Sequence, residues 1–348
     1  VTFIGTEFTS SGFINGDTVA SVTLGSAGAA TNATVAGAPY AIVASAATGS
    51  GLGNYSISYG DGSLTVNAAA LLVAGNDASR VYGATNPMFS VSYTGFVNGE
   101  TNTVLDGTLE LTTSAETTSP VGSYDIVVSG LSASNYALTF SNGTLTVLPY
   151  ALTITANNDS KTYDGVSYSG GHGVTYTGFV NGETNTALDG SLNYSGDAQG
   201  ATNAGSYTIT PFGLTATNYA ISFANGTLNI SKANASLTVS GYSGTYDGAA
   251  HGASGSATGV NAENLSALLN LGNSFTDVPG GTANWTFAGN NNYNAANGSA
   301  AIVLTKAGLS VTADDASRAY GQVNPVFTAT YTGFVNGETN TVLDGTLE

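Results

Sequence analysis

The sequence predicts an all-β protein: a tandem array of small β-sandwiches joined end to end. Three observations favour this fold class. One long segment recurs along the chain, the stretches between its copies alternate apolar and polar residues as strands do, and almost no linker separates successive copies.

The recurring segment defines the repeats. Residues 93–110 return without a change at 331–348, and a close copy occupies 176–192. The glycines that open the copies, Gly12, Gly95, Gly178 and Gly333, lie 83, 83 and 155 residues apart, and the last spacing fits two diverged copies. The predicted division, hereafter repeats 1 to 5, is a partial repeat lacking its first strand (1–70), two repeats of full length (71–149 and 150–232), a shortened repeat (233–306) and a truncated one (307–348).

Runs of period two, rich in Val, Thr, Tyr and Phe, predict six or seven strands in a complete repeat. Asn142-Gly143 lies between two such runs and predicts a β-hairpin over 136–147, because both residues tolerate positive φ. Asn225-Gly226 predicts the same hairpin over 219–230. A helical pattern occurs at 263–270 and covers two turns at most.

An Asn-Tyr pair near the end of each repeat suggests how the sheets are connected. Leu131 precedes Tyr136 by five residues, and Leu214 precedes Tyr219 by the same distance. This spacing resembles the tyrosine corner of Ig-like Greek-key sandwiches, in which the hydroxyl bonds back to the chain. We therefore expect a small Ig-like (Greek-key) β-sandwich in each repeat, with a β-grasp-like unit as the alternative.

The junctions between repeats are short. The last strand of repeat 2 runs through Pro149 and Tyr150 directly into the first strand of repeat 3. A flexible linker is long and rich in Gly and Ser, so these junctions predict a stiff or semi-stiff row of repeats. Each repeat adds roughly 35–40 Å if its strands are about six residues long.

Composition and charge exclude several classes of partner. The 22 acidic residues against five basic ones give a net charge of −17, which argues against binding to nucleic acid or to an anionic membrane surface. The sequence has no cysteine and no apolar run long enough for a membrane-spanning helix. Because Val1 corresponds to Ala84 within a repeat, we expect this chain to be a window cut from a longer polypeptide.

Several motifs resemble repeats of large bacterial surface proteins. Arg80-Val81-Tyr82-Gly83, the Tyr-Thr-Gly-Phe-Val-Asn-Gly-Glu segment and the Asn-Gly-Thr-Leu-Thr-Val ending of repeat 2 resemble the YGX-type MBG repeat. Repeat 3, with Tyr163-Asp164-Gly165, resembles the YDG-type relative, and repeat 4 resembles a bacterial Ig-like repeat that has lost the Gly-Phe-Val-Asn-Gly segment. The resemblance implies the stalk of a filamentous-haemagglutinin-like exoprotein or giant adhesin. It implies no shared catalytic residue.

The sequence contains few candidates for catalytic residues. His172 and His251 stand alone in Gly-rich segments, and no Gly-x-Ser-x-Gly elbow leads into a helix. The sequence therefore predicts a protein that is not an enzyme. Lys161, Lys232 and Lys306 raise the alternative of an isopeptide cross-link, although two of them stand at repeat ends.

Two sets of acids are candidates for calcium, which takes carboxylate oxygens from loops. In the first set Glu100 and Asp106 recur as Glu183 and Asp189, and as Glu338 and Asp344; the competing interpretation is a pair of turns whose acids satisfy local backbone donors. The second set follows the first strand of a repeat, near a junction, where an ion would stiffen the row. Its members are Asp77, Asp159, Asp314 and Asp315.

The tyrosine of each Tyr-Gly or Tyr-Asp-Gly motif has two interpretations. Tyr82, Tyr163, Tyr246 and Tyr320 would line a sugar-binding groove by stacking, or would cover the end of a sandwich with a hydrogen-bonded hydroxyl. Trp285, the single tryptophan, lies in an alternating run and is predicted to belong to the core.

These observations predict a structural role outside the bacterial cell: a rod-like spacer in the stalk or filament of an adhesin. Its expected partners are neighbouring repeats, laterally associated rods and a host or matrix ligand bound by a distal region. Two alternatives stay open, namely repeats that bind glycan or matrix ligands themselves and subunits that polymerise by strand complementation.

Overall fold

A computed structural model describes residues 1–345, so the predicted fifth repeat, 307–348, is described up to residue 345. In this range the chain forms strands and short 3-10 turns but no α-helix, and the all-β prediction is confirmed. None of the described helical segments is long and apolar enough to cross a membrane.

Repeat 2 is a sandwich of a three-stranded and a four-stranded sheet. The first sheet has the order β6-β4-β9 and the second the order β5-β10-β8-β7. β4 runs parallel to β9 and β5 parallel to β10, whereas the other pairs are antiparallel. The strands are β4 Ala69–Gly75, β5 Ala78–Val81, β6 Val91–Thr94, β7 Asp106–Thr112, β8 Gly122–Ser132, β9 Tyr136–Ser141 and β10 Gly143–Leu148.

The core of repeat 2 lies between these two sheets. Side chains alternate between the faces of a strand, so every second residue of β4, β8 and β10 points inward. Leu71 and Val73 come from the first sheet and Ile126, Leu145 and Val147 from the second, and each is at most 1% exposed. The sandwich prediction is confirmed, and the β-grasp-like alternative, which has one sheet, is excluded.

The Asn142-Gly143 pair does not form the predicted hairpin. β9 and β10 belong to different sheets, and neither residue of the pair has the positive φ that a type I′ turn requires. A Cβ on Gly143 would lie 2.8 Å from the backbone oxygen of Asn76, so glycine permits a close approach where the chain crosses between sheets. The hairpin predicted over 219–230 is wrong for the same reason.

Repeats 3 and 4 follow the same plan. Repeat 3 has sheets β13-β11-β16 and β12-β17-β15-β14, and repeat 4 has sheets β18-β20 and β19-β23-β22-β21. The strands of repeat 3 are β11 Tyr150–Ala156, β12 Asp159–Thr162, β13 Val174–Thr177, β14 Asp189–Ser195, β15 Gly205–Thr215, β16 Tyr219–Ala224 and β17 Gly226–Ser231. Those of repeat 4 are β18 Ser236–Ser240, β19 Tyr242–Thr245, β20 Ser254–Thr258, β21 Leu269–Asn270, β22 Gly280–Phe287 and β23 Ala296–Thr305.

The two terminal repeats contain fewer strands. Repeat 1 has one sheet, β1-β2-β3, and repeat 5 has the pair β24-β25. The strands are β1 Thr18–Gly25, β2 Tyr40–Ser50, β3 Gly62–Leu64, β24 Ser310–Ala313 and β25 Ala329–Thr332. Single 3-10 turns occur at Ala27–Ala29, Val35–Gly37, Leu52–Asn54, Asn102–Val104, Asn185–Ala187, Ser266–Leu268 and Asn340–Val342.

The chain divides into two compact units, and the division passes through repeat 3. The first unit contains Val1–Leu152 together with Gly178–Asp189 and Thr215–Ile221 of repeat 3. The second contains Thr153–Thr177, Gly190–Leu214 and the chain from Ser222 onward. The loop that contains Glu183 and the corner at Asn218-Tyr219 thus belong to the same compact unit as repeat 2, although both are in repeat 3.

Candidate functional site at the junctions between repeats

In repeats 2, 3 and 5 a Val-Asn-Gly-Glu loop contacts the preceding repeat and carries a carboxylate. In repeat 3, Asn181 and Gly182 have φ of 55° and 74°, and the Glu183 N–H donates to the Val180 carbonyl at 3.0 Å. Two positive φ values closed by this bond make a tight turn. The predicted Asn-Gly turn is confirmed, and repeats 2 and 5 contain it at Asn98-Gly99 and Asn336-Gly337.

The tyrosine of the Asn-Tyr pair binds this loop. Tyr219 donates from its hydroxyl to Glu183 Oε2 at 2.5 Å and accepts from the Val180 N–H at 3.2 Å. Tyr136 makes the same two bonds with Glu100 and Val97. As predicted, the hydroxyl bonds back to the chain, but its partners lie 36 and 39 residues upstream rather than next to the corner.

Repeat 4 retains this arrangement in an altered sequence. Tyr293 donates to Glu263 and accepts from the Val260 N–H at 2.8 Å. Ala262 has a φ of 61°, where the other repeats have glycine. The prediction that repeat 4 lacks the loop is therefore wrong: Val260-Asn261-Ala262-Glu263 is the loop with one substitution, and this near match was the signal that sequence reasoning missed.

A second tyrosine reaches the same carboxylate from the preceding repeat. The Tyr82 hydroxyl of repeat 2 donates to Glu183 Oε1 at 2.6 Å. Its ring lies edge-on to Tyr219, with centroids 5.8 Å apart and an interplanar angle of 80°. One carboxylate thus accepts from two tyrosines, one in each repeat. We call Tyr82, Glu183 and Tyr219 the junction cluster.

Two further junctions contain parts of this cluster. Between repeats 4 and 5, the Tyr246 hydroxyl donates to Glu338 Oε1 at 2.5 Å. Between repeats 3 and 4, the ring of Tyr163 lies edge-on to Tyr293, with centroids 5.5 Å apart. The prediction that these tyrosines cover the end of a sandwich is confirmed for Tyr82 and Tyr246, while Tyr320 is fully exposed.

The asparagine of the Asn-Tyr pair connects the same repeats through the backbone. Asn218 Oδ1 accepts from the Val121 N–H of repeat 2 at 3.0 Å, while its carbonyl accepts from the Tyr150 N–H at 3.0 Å. The corresponding Oδ1 bonds are from the Val35 N–H to Asn135 and from the Ala204 N–H to Asn292. The same bond therefore recurs at three successive junctions.

The glycine of the Tyr-Gly motif lets the two repeats approach. Gly83 has a φ of 82°, and a Cβ there would lie 2.6 Å from Val180 Cγ2. Gly165 and Gly248 also have positive φ, and added Cβ atoms would overlap Asn261 and Asn336 in the loop of the following repeat. Both the conformation and the contact require glycine, which explains why it follows the tyrosine.

The cluster is partly withdrawn from water, and its pKa values shift accordingly. Burial, and then the hydrogen bond to Glu183, raise the pKa of Tyr219 to about 12. Burial and the bond to Glu263 raise the pKa of Tyr293 to about 12 as well. The bond to Glu183 raises the pKa of Tyr82. These shifts favour neutral phenols that donate to charged carboxylates.

The paired acids of the recurring segment separate in the structure. Glu100 accepts a hydrogen bond from the Tyr136 hydroxyl, whereas Asp106 is the first residue of β7 and pairs with Ser132 of β8. The predicted second turn at Asp106-Gly107 is wrong, because both residues are paired in the β7–β8 ladder. The role of Glu100 and Glu183 as acceptors for distant tyrosines was in neither interpretation of the sequence.

The carboxylates predicted to bind calcium lie just after the first strands, and three of them accept bonds within their own repeat. The donors are the Thr144 N–H to Asp77, the Tyr168 hydroxyl and Ser160 N–H to Asp159, and the Thr328 and Thr330 hydroxyls to Asp314. Asp315 is exposed. Within residues 1–345 no group of three or more His, Cys, Asp or Glu is placed to hold an ion. Calcium binding stays a prediction.

The other singled-out side chains have local partners. His251 stacks on Tyr242, with ring centroids 4.0 Å apart, and lies 2.9 Å from Asp247 Oδ1. Lys161 pairs with Asp164, and Lys232 donates to the Asn290 carbonyl. Trp285, predicted to be core, is half-buried.

Comparison with known proteins confirms the resemblance to the YGX-type MBG repeat. The same family model also matches repeat 3, which the motifs had likened to the YDG-type relative, and the Ig-like resemblance of repeat 4 stays a prediction. The family described as MBG domain (YGX type) matches residues 5–65, 71–146, 152–229 and 309–348. No curated protein matches the chain. The matched stretches include most of the sequence and recur in tandem, so the chain is a repeat protein.

Three solved structures of tandem domains are similar to parts of the chain. Drosophila N-cadherin EC1-4 is 9% identical over 76% of this chain and 83% of that one, with a TM-score of 0.22. The I9-I11 tandem of titin is 10% identical over 69% and 98%, with a TM-score of 0.18. Domains 1–6 of the surface layer protein SbsC are 12% identical over 85% and 53%, with a TM-score of 0.17.

Proposed function

Because this chain belongs to the MBG domain (YGX type) family, we propose that it is a non-enzymatic spacer: a stalk or filament segment of an extracellular bacterial surface protein. Its repeats would hold a distal binding region away from the cell envelope. Its partners would be neighbouring repeats of the same chain, laterally associated rods and a host or matrix ligand bound by the distal region.

One observation carries this proposal: the same directed contacts recur where one repeat meets the next. Asn218 and its two counterparts each accept a backbone hydrogen bond from the preceding repeat. Tyr82 and Tyr246 each donate to a glutamate of the following repeat. A spacer needs junctions that resist bending, and stability in such arrays depends on the contacts between nearest neighbours.

Small-angle scattering of the intact chain tests the proposal. A compact protein of 348 residues has a radius of gyration of roughly 20 Å. If each repeat adds roughly 35–40 Å to the length of an extended row, the radius of gyration of the row exceeds roughly 40 Å. We expect the larger value, and a value close to 20 Å would refute the spacer.

Scattering of a variant with one weakened junction is the second test of the proposal. The double substitution Tyr82→Ala and Asn218→Ala should leave each sandwich folded but broaden the distribution of interatomic distances. Tyr320→Ala, which changes a fully exposed ring, is the matched control. Labelling of intact bacterial cells with antibodies against the chain tests the extracellular location.

A further inference from the structure

In repeats 2, 3 and 4 the strand that ends the repeat runs parallel to a strand near its start. In repeat 2 these strands are β10 and β5, which pair from Leu145↔Ala78 to Leu148↔Val81. In the same way β17 pairs with β12 in repeat 3, and β23 pairs with β19 in repeat 4. The two ends of each repeat are therefore hydrogen-bonded directly to one another.

The tyrosine of the Tyr-Gly or Tyr-Asp-Gly motif adds a further backbone bond to each of these pairs. Its N–H donates to the carbonyl of the last residue in the final strand of the repeat. The distance is 2.8 Å in each case: Tyr82 to Leu148, Tyr163 to Ser231 and Tyr246 to Thr305. The pairing thus extends to the point at which the chain leaves the repeat.

The other sheet of repeat 2 contains a second parallel pair. β4, the first strand of the repeat, runs parallel to β9 from Ala69↔Tyr136 to Ala74↔Ser141. Only Asn142 separates β9 from β10 along the chain. Both sheets of this repeat therefore connect a strand from its start to a strand from its end.

A buried arginine fixes β5 against the body of repeat 2. Arg80 is 6% exposed, and its guanidinium donates to Asn86 Oδ1 at 2.7 Å and to the Glu116 carbonyl. These acceptors lie in the loops that follow β5 and β7. Pulling β5 away from β10 separates the guanidinium from both acceptors, which is costly for a charged group that is withdrawn from water.

The parallel direction of these pairs decides how tension along the chain acts on their hydrogen bonds. Tension pulls the strand at the start of a repeat toward its amino end and the last strand toward its carboxyl end. In a parallel pair those two ends lie at opposite ends of the ladder, so the force acts along the strands and all the bonds share it. In an antiparallel pair both ends lie at the same end of the ladder, and the bonds break one after another.

We propose that these parallel pairs are mechanical clamps, and that repeats 2, 3 and 4 bear tension along the chain without unfolding. In repeat 2 the clamp consists of the β5–β10 and β4–β9 ladders. This function goes beyond that of a spacer, because reach requires only that the repeats be joined, whereas load-bearing requires slow forced unfolding. Scattering measures the reach and pulling measures the clamp, so either result can be negative without the other.

Single-molecule pulling of the intact chain through two introduced cysteines tests the clamp, since the chain has no cysteine of its own. Asn67→Cys and Pro149→Cys, at exposed positions, apply the force just before β4 and just after β10. Asp106→Cys and Ser132→Cys instead pull on two residues that pair at one end of the antiparallel β7–β8 ladder. At equal loading rates the first geometry should require the higher force to unfold repeat 2. An equal or lower force would overturn the proposal.

Removal of one ladder bond tests the clamp at a single atom. Tyr82→Pro and Tyr82→Ala both lose the phenol, but only the proline lacks the N–H that donates to Leu148. At a fixed force in the first geometry, Tyr82→Pro should unfold about fivefold faster than Tyr82→Ala, the factor that a typical net hydrogen bond gives.

Val81→Pro is the matched control for the proline ring. Successive N–H groups of a strand point to opposite sides, and β5 is an edge strand, so the Val81 N–H points away from β10. Val81→Pro should therefore unfold at nearly the rate of the parent chain. Equal rates for Tyr82→Pro and Tyr82→Ala, or an acceleration by Val81→Pro as large as that expected for Tyr82→Pro, would refute the clamp.

Discussion

The hydroxyl of Tyr82 in repeat 2 lies 2.6 Å from a carboxylate oxygen of Glu183 in repeat 3, and Tyr219 of repeat 3 donates to the other oxygen. This relationship connects the two motifs for which the sequence is most repetitive, the Tyr-Gly pair and the Val-Asn-Gly-Glu loop. It assigns to both a role in joining repeats.

Tyr82→Phe should destabilise the repeat 2–3 junction while keeping the edge-on contact with Tyr219. A hydrogen bond to a charged acceptor contributes roughly 1.5–3 kcal/mol, and we expect the lower end because Glu183 is partly exposed. Denaturant unfolding measures the loss. In a double-mutant cycle with Glu183→Ala, which removes the acceptor, the two losses should not add, because both substitutions remove the bond between Tyr82 and Glu183. Strict additivity would contradict the assignment.

Asn218→Ala should weaken the same junction by a different route. It leaves the partly buried Val121 N–H without its acceptor, a loss of about 1 kcal/mol. Asn218→Asp retains an acceptor oxygen at this position and should recover most of the stability. Denaturant unfolding measures the loss of stability in each variant. Equal losses would show that the hydrogen bond from the Val121 N–H does not account for the stability that Asn218 contributes.

Gly83→Ala should be more harmful than Gly99→Ala, although both glycines have positive φ. An alanine at residue 83 meets Val180 of the next repeat, whereas nothing lies within 4 Å of a Cβ on Gly99. The strained backbone costs each variant roughly 1 kcal/mol, so the difference in melting temperature reports the contact. Adding Val180→Ala should narrow that difference, and a failure to do so would mean that strain alone explains the loss.

Repeats 3 and 4 should become less stable in strong alkali. Tyr219 and Tyr293 have folded pKa values of about 12, above the value near 10 of an unfolded chain. A raised pKa means that their contribution is complete below about pH 10 and is lost as the pH rises toward 12. Melting temperatures between pH 9 and 12 should fall less steeply in Tyr219→Phe than in the parent chain. Tyr320→Phe, which alters an exposed ring, should follow the parent.

The calcium hypothesis predicts that added Ca²⁺ raises the melting temperature and that EDTA reverses the rise. Asp159→Asn should abolish the response to Ca²⁺ if this carboxylate is a ligand. The substitution tests the charge alone, because the amide oxygen can still accept the hydrogen bond from Tyr168. An unchanged melting temperature and an unchanged scattering profile in EDTA would reject calcium as a structural element of the chain.

Repetition and alternation along the chain were enough to predict the strands, the Asn98-Gly99 turn and the family. These features are local: a period of two indicates a strand, and an exact copy of a segment indicates a copy of its fold. The family resemblance rested on contiguous motifs such as Arg80-Val81-Tyr82-Gly83. None of these predictions required knowing which strands pair.

The partners of Glu183 required the tertiary structure, because Tyr219 and Tyr82 lie 36 and 101 residues away along the chain. Asn-Gly shows the same limit within one repeat. At residues 98–99 it turns with two positive φ values, whereas at 142–143 it crosses between sheets without either. The dipeptide permits both conformations, and the sheet that each flanking strand joins decides between them. By itself the sequence determined the repeated all-β unit; long-range pairing and the packing of one repeat against the next decided which residues form the junction.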